Sequence, residues 1–159
     1  MATVDYFIKL TDIKGESTDK VHKDEIDVES WSWGATQSGT FSLGGGGGAG
    51  KVSMNDFNFV CRTNKSSPAL MFACASGKHI KEALFTARKA GGKQQEFLKV
   101  KLSDVLISSY QTGGSSEVPM DQITLNFSKI EVSYAPQKPD GSLDAYVTNG
   151  WNLKENQKV

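Results

Sequence analysis

Histidine and cysteine are nearly missing from this sequence, two of each in 159 residues. Metal and redox sites need such ligands clustered at short spacing, and no Cys-x-x-Cys or His-x-x-x-His pair occurs. A G-x-S-x-G elbow is missing too, so no nucleophile is singled out, and neither a catalytic residue nor a cofactor nor a metal is expected. No apolar run approaches the length that crosses a bilayer, so membrane insertion is not expected. The opening MATVDYFIKLTD has no basic patch followed by an apolar stretch. It predicts no signal peptide and a chain made in the cytoplasm, whose export would need another route. Net charge is absent as well, with 18 Lys plus Arg against 18 Asp plus Glu. That balance removes the electrostatic reason to expect nucleic acid. Cys61 and Cys74 sit among apolar residues, where reduced, buried thiols are expected; a disulfide between them is left open.

Glycine, by contrast, is plentiful. In LGGGGGAGKV, Gly45, Gly50 and Lys51 satisfy the G-x-x-x-x-G-K pattern of a phosphate-binding loop. The pattern requires a Ser or Thr next, for magnesium, and then a helix N-terminus. Val52 occupies the first place and VSMNDFNFV has strand spacing, so a run of glycines meets the pattern by composition alone. The loop needs another explanation.

Most of the chain alternates as strands do. VDYFIKL sets Val4, Tyr6, Ile8 and Leu10 on one face, FLKVKL sets Leu98, Val100 and Leu102 inward, and DVLISSYQ and LFTARKAGG are further strand runs. Three segments change phase partway: after Val28 in EIDVESWSW, after Met54 in VSMNDFNFV and after Phe127 in ITLNFSKIEVSY. Each jump implies a bulge, or a strand bending from one sheet into another. Three corners in one small chain predict an all-β architecture, a closed or nearly closed barrel of two bent sheets. One flanking helix is predicted over residues 68–76, with Ser67 as N-cap, Pro68 first and Gly77 as the stop. Its residues are apolar or small on every side, so both faces are expected to be covered, one of them by a neighbouring subunit. Neither a repeat nor a linker divides the chain, and one domain over 1–159 is expected.

Charge is unevenly placed. Residues 1–30 carry eight acids and four lysines, while 78–101 carry seven bases and two acids. Two solvated faces, or complementary surfaces between copies, both fit that asymmetry. Glu25, Asp27 and Glu29 alternate along a strand and read as a solvated face, continued by Ser30 and Ser32, with Trp31 and Trp33 turned inward. His22 lies in the polar stretch STDKVHKDE and His79 follows the helix stop. Packed tryptophans are the commoner case, but Trp31, Trp33 and Trp151 leave a stand-alone ligand-binding barrel as an alternative. An enzyme would require a pocket where His22 or His79 meets the carboxylates.

The stretches FIKLTDIKGES, HKDEIDVESWSWGATQSGTFSLGGGGGAGK, SSPALMFACASGKH, ARKAGGKQQEFLKVKLSDVLISSYQTGGSS, ITLNFSKIEVSYAPQK and NGW, in this order, resemble the Hcp (haemolysin-coregulated protein) family, which forms the inner tube of the bacterial type VI secretion system. The resemblance spans nearly the whole chain. It implies a β-barrel with one helix, six copies in a ring, and rings stacked into a tube that a sheath drives outward behind a spike protein. It also implies effector proteins carried and chaperoned in the lumen, and a protein that is cytoplasmic before firing and then secreted without a signal peptide. On this resemblance the extended loop, Ser38, Gly39, Thr40, Phe41, Ser42, Leu43, Gly44, Gly45, Gly46, Gly47, Gly48, Ala49, Gly50 and Lys51, reaches neighbouring subunits or rings. Phe41 and Leu43 are its apolar contacts. Ser30 and Ser32 become candidates for the lumen, and Leu70, Met71 and Phe72 for a helix interface.

Overall fold

The structure, a computed structural model, describes residues 3–39 and 50–159. Along the chain run β1 (Val4–Leu10), β2 (Ile26–Val28), β3 (Ser30–Ser32), β4 (Ala35–Thr36), β5 (Ser53–Met54), β6 (Phe57–Arg62) and α1 (Ser67–Ser76). Then follow β7 (His79–Lys89), β8 (Glu96–Gly113), β9 (Met120–Asn126), β10 (Lys129–Tyr134), β11 (Val147–Asn152) and β12 (Gln157–Lys158). Ten of these strands make one antiparallel sheet, with order β12-β11-β10-β8-β7-β1-β2 and with β9 and β6 branching from β8 towards β3. β4 and β5 form a separate pair at the base of the glycine-rich segment.

All three phase jumps are places where the chain changes partner. β2 pairs with β1 and β3 with β6, and between them the Glu29 N–H donates to the Val60 carbonyl at 2.8 Å. β5 leaves its pairing with β4 before β6 joins β3 and β9. β9 lies against β6 and the second half of β8, whereas β10 lies against the first half of β8 and β11. The extra residue at each corner lets one apolar face stay inward while the strand turns. The two runs predicted at 97–102 and 104–111 are one strand of 18 residues, β8. It bends where Asp104 takes φ 53° and where the register slips between Ile107 and Ser109.

Inward residues from these strands make one core, with Ile8, Leu10, Ile26, Phe57, Phe59, Phe85, Val100, Leu102, Ile123 and Leu125 buried. Trp31 turns inward as its spacing predicts and packs on Phe57, Phe85 and Tyr6. Phe7 departs from the alternation: it points away from the core and is nonetheless buried.

The helix runs one residue earlier than expected. Ser66, not Ser67, is the N-cap position, and Gly77 stops the helix at φ 68° with its N–H bonded to the Ala73 carbonyl. The Ser67 hydroxyl serves elsewhere, donating to Asp121 Oδ2 at 2.5 Å. No side chain caps the helix; Asn64 instead holds the turn before it, its side chain accepting from the Ser66 N–H at 2.8 Å and its carbonyl from the Ser67 N–H at 2.9 Å.

Candidate functional site

Three surfaces stand out. The first is the outer face of the curved sheet β3-β6-β9-β8. Antiparallel pairing places opposite residues on one face, so Ser32, Asn58, Thr124 and Ser109 form one row across four strands. Ser30, Val60, Gln122 and Gln111 form the next. Thr124 Oγ1 donates to Asn58 Oδ1 at 3.2 Å. Neither row contains a charge; charges begin at the margins, with the Glu29–Arg62 pair at 3.3 Å and with Asp56, which accepts from Ser108 at 2.8 Å and Asn126 at 2.9 Å. Ser30 and Ser32 are exposed on this face, in the orientation their spacing predicts. Asn58, Thr124, Ser109, Gln122 and Gln111 escape a reading of the sequence because they come from distant strands; only alternation opposite Phe57, Phe59, Ile123 and Leu125 marks them.

The second surface is the exposed side of α1. Leu70 is 0% exposed and belongs to the chain's own core, so it is not available to a neighbour. Met71, at 50%, and Phe72, at 63%, are exposed. The helix thus covers one face with its own sheet and leaves the other apolar. The third surface is a groove of about 780 Å³ at the start of β1 and the end of β10, lined among others by Val4, Ala90, Phe97, Tyr134 and Leu143. The exposed side chains of Tyr134, Tyr146 and Val147 lie on the two strands and the connection at this end of the chain.

Ser38, Gly39 and Lys51 are exposed and Gly50 is half-buried, at the two ends of the glycine-rich segment. Thr40, Phe41, Ser42, Leu43, Gly44, Gly45, Gly46, Gly47, Gly48 and Ala49 lie outside the described residues. The element that follows Lys51 is β5, not a helix, so the glycine-lysine pattern lacks the N-terminus a phosphate would need.

The titratable residues are used structurally. His22 does meet carboxylates, with Nδ1 2.9 Å from Glu25 Oε2 and Nε2 2.6 Å from Glu96 Oε1. Yet it is only 6% exposed and lies flat on Phe7. Glu25 therefore leaves the solvated row foreseen for it, and burial pushes its carboxyl above the usual range, against the lowering pull of His22. His79 is exposed and lies 3.3 Å from Asp104. The acidic and basic segments meet inside one chain: β1 pairs with β7, and Arg88 contacts Asp19 at 2.6 Å and Asp5 at 3.3 Å. Cys61 and Cys74 are free thiols, and burial pushes Cys61 up to about 12, an unreactive state. Among the described residues no group of three His, Cys, Asp or Glu is placed to hold a metal ion, and no helix is long and apolar enough to cross a membrane.

Residues 7–134 match the family described as type VI secretion system effector, Hcp. Protein hcp1 of Pseudomonas aeruginosa is 52% identical over 157 residues, covering 96% of this chain and 97% of its own. Hcp1 from Salmonella typhimurium has a crystal structure that aligns with a TM-score of 0.81 at 30% identity, over 99% of this chain and 100% of its own. A further structure, described as a type six secretion system protein, aligns with a TM-score of 0.91 at 29% identity, over 98% and 99%. The family match over most of the chain and the 52% identical relative place it: the chain belongs to the Hcp family of structural, secreted type VI secretion proteins, which are not enzymes.

Proposed function

We propose that the chain, as one domain over residues 1–159, is a tube subunit: six copies close a ring, rings stack, and the uncharged sheet face lines the lumen. The observation that carries this reading is apolar surface left open at two separate places, the helix side at Met71 and Phe72 and the groove beside Tyr134. Such surface on a small chain marks association sites, and two distinct sites on one subunit suit head-to-tail contacts, which close into rings. Pairings run from β2 through β1, β7, β8, β9 and β6 to β3, and the chain itself joins β2 to β3 at Glu29, an arrangement that suits a nearly closed barrel. A lumen of Ser32, Asn58, Thr124 and Ser109 offers hydrogen bonds without fixed charge, a surface on which effector proteins of either net charge pass or lodge without strong electrostatic capture. In this reading the protein waits in the cytoplasm, then leaves with the spike ahead of it and the sheath behind. The segment Ser38–Lys51 serves contacts between subunits or rings.

Light scattering after gel filtration tests the assembly directly. A ring of six has a mass of about 103 kDa for a 17.2 kDa chain. A particle that remains near 17 kDa overturns the ring and favours a stand-alone barrel that binds a ligand.

A further inference from the structure

Residues 11–25, between β1 and β2, form a strap across the outer face of β1 and β7. The strap folds on itself: the Gly15 N–H donates to the Asp24 carbonyl at 2.8 Å, Ser17 N–H to the Glu25 carbonyl at 3.0 Å, and Asp24 N–H to the Ser17 carbonyl at 2.9 Å. Beneath it lies Phe7, the outward residue of β1 that is nevertheless buried. The His22 ring stacks on Phe7 with centroids 4.4 Å apart and planes 8° from parallel, and the Arg88 guanidinium sits 4.9 Å from the centroid of the same ring.

Both ring nitrogens of His22 face a carboxylate, Glu25 at 2.9 Å and Glu96 at 2.6 Å. A neutral imidazole has one N–H and one lone pair, so it can donate to only one of them. Two hydrogen bonds among these three groups therefore require two protons. Either an imidazolium donates to two carboxylates, or an imidazole donates to one and accepts from a carboxylic acid. In an open strap above the ordinary imidazole pKa of about 6.5, the same groups hold only one proton. Closing takes up a proton.

We propose that the strap is a proton-held clasp: His22 ties it to Glu25 and Glu96 when the cluster is protonated and releases it as pH rises. The charged groups beneath and beside the strap come from several elements. Asp27 of β2 lies opposite Phe7 on the same face; burial chiefly raises its carboxyl, against a hydrogen bond from Ser17 of the strap, so it titrates in the acid range and adds no slope above it. On the strap itself, Asp19 accepts from Arg88 of β7 at 2.6 and 2.9 Å, and Asp5 of β1 lies 3.3 Å from Arg88, so that second tie is neutralised internally. Lys99 of β8 lies 3.5 Å from the other Glu96 oxygen, and Lys9 of β1 acts on Glu25; both favour carboxylates and hence an imidazolium between them. The Tyr146 hydroxyl donates to the Glu96 carbonyl, with Lys99 over its ring at 5.1 Å. The clasp thereby joins the strap to the start of β8, whose next residue, Phe97, lines the apolar groove. Because the closed strap binds one proton more than the open one, its closing constant falls as pH rises above the ordinary imidazole range, by at most about tenfold per unit and only until the closed cluster itself gives up that proton.

Hydrogen exchange of the full chain between pH 5.5 and 8.5, read by mass spectrometry as protection factors, tests the clasp. Peptides within 11–25 are expected to lose protection as pH rises above about 6.5, by at most about tenfold per unit, while a β6 peptide keeps its own. His22→Gln and Glu96→Gln are each expected to remove that slope. Strap protection that stays flat with pH in the unaltered chain overturns the proposal, as does a slope retained in either variant. If either variant fails to fold, the unaltered chain decides alone.

Discussion

At the scale of single residues, close approach governs more than chemistry does. A Cβ on Gly15 would lie 2.5 Å from the Glu25 carbonyl oxygen and 2.9 Å from Ile26 Cα, both backbone atoms that cannot move without opening the strap. Gly15→Ala is therefore expected to cost about 2 kcal/mol, the usual penalty for forcing extra atoms into a packed site, read as a lower urea midpoint. An unchanged midpoint would mean that the strap shifts freely. Asp121 shows the complementary device. It is fully buried and accepts from Thr63 at 2.7 Å and Ser67 at 2.5 Å, which fixes the start of α1 to β9. Neither residue announces itself in the sequence. Gly15 is one glycine among many, and the partners of Asp121 lie more than fifty positions away. Ser32 and Trp31 were legible because alternation is local: one faces out, so the other must face in.

At the scale of elements, the phase of the apolar pattern carried the architecture. The jumps after Val28, Met54 and Phe127 located the corners, since a strand that changes sheets must spend a residue to keep its apolar side inward. The unity of β8 was not legible, because Asp104 interrupts the alternation at the bend and imitates a boundary. Likewise the short strands β11 and β12 carry little apolar pattern and are held by pairing to β10 rather than by their own composition. The helix was legible from Pro68 and Gly77, but which of its apolar residues belong to the core was not. Leu70 and Ala73 fall inward, and Met71 and Phe72 remain outside. Phe72→Ser is thus expected to change stability by no more than about 0.5 kcal/mol, as exposed positions do. In a ring that uses this helix it lowers the particle mass seen by light scattering. A full-size particle from Phe72→Ser would free the helix from subunit contact.

At the scale of the whole molecule, pH acts through opposed groups. Asp19 lies well below the usual carboxylate range because Arg88 donates to it, with further help from the Val21 and His22 N–H groups, and despite some burial. Asp121 is also lowered: burial alone would raise it, but hydrogen bonds from Ser67, Thr63, Thr112 and Tyr110 outweigh that. In the unfolded chain both titrate near 3.9, so their stabilisation is complete above about pH 4 and is lost as pH falls through the lower folded values. Asp19→Asn is expected to reduce stability at pH 7 and to flatten the acid limb below about pH 4, measured by urea unfolding at several pH values. An acid limb as steep as that of the unaltered chain would remove Asp19 from the account. Glu25 and Asp27, both raised chiefly by burial, act in the other direction and favour the folded chain as protons are added around that pH.

The pairing of β1 with β7 also sets a timetable for synthesis. Val4 meets Lys89 and Leu10 meets Ala83, so the first strand made waits more than seventy residues for its principal neighbour. At ordinary elongation rates that wait is roughly 4 to 17 s. Through it, among the described residues, the three of β2 are the strand partners β1 has, and on one edge. A nascent chain therefore carries an unpaired, half-apolar strand for most of its emergence, the condition under which edge-to-edge aggregation competes with folding. The ribosome, and whatever guards its exit, sees this protein at its most adhesive before the seventh strand appears.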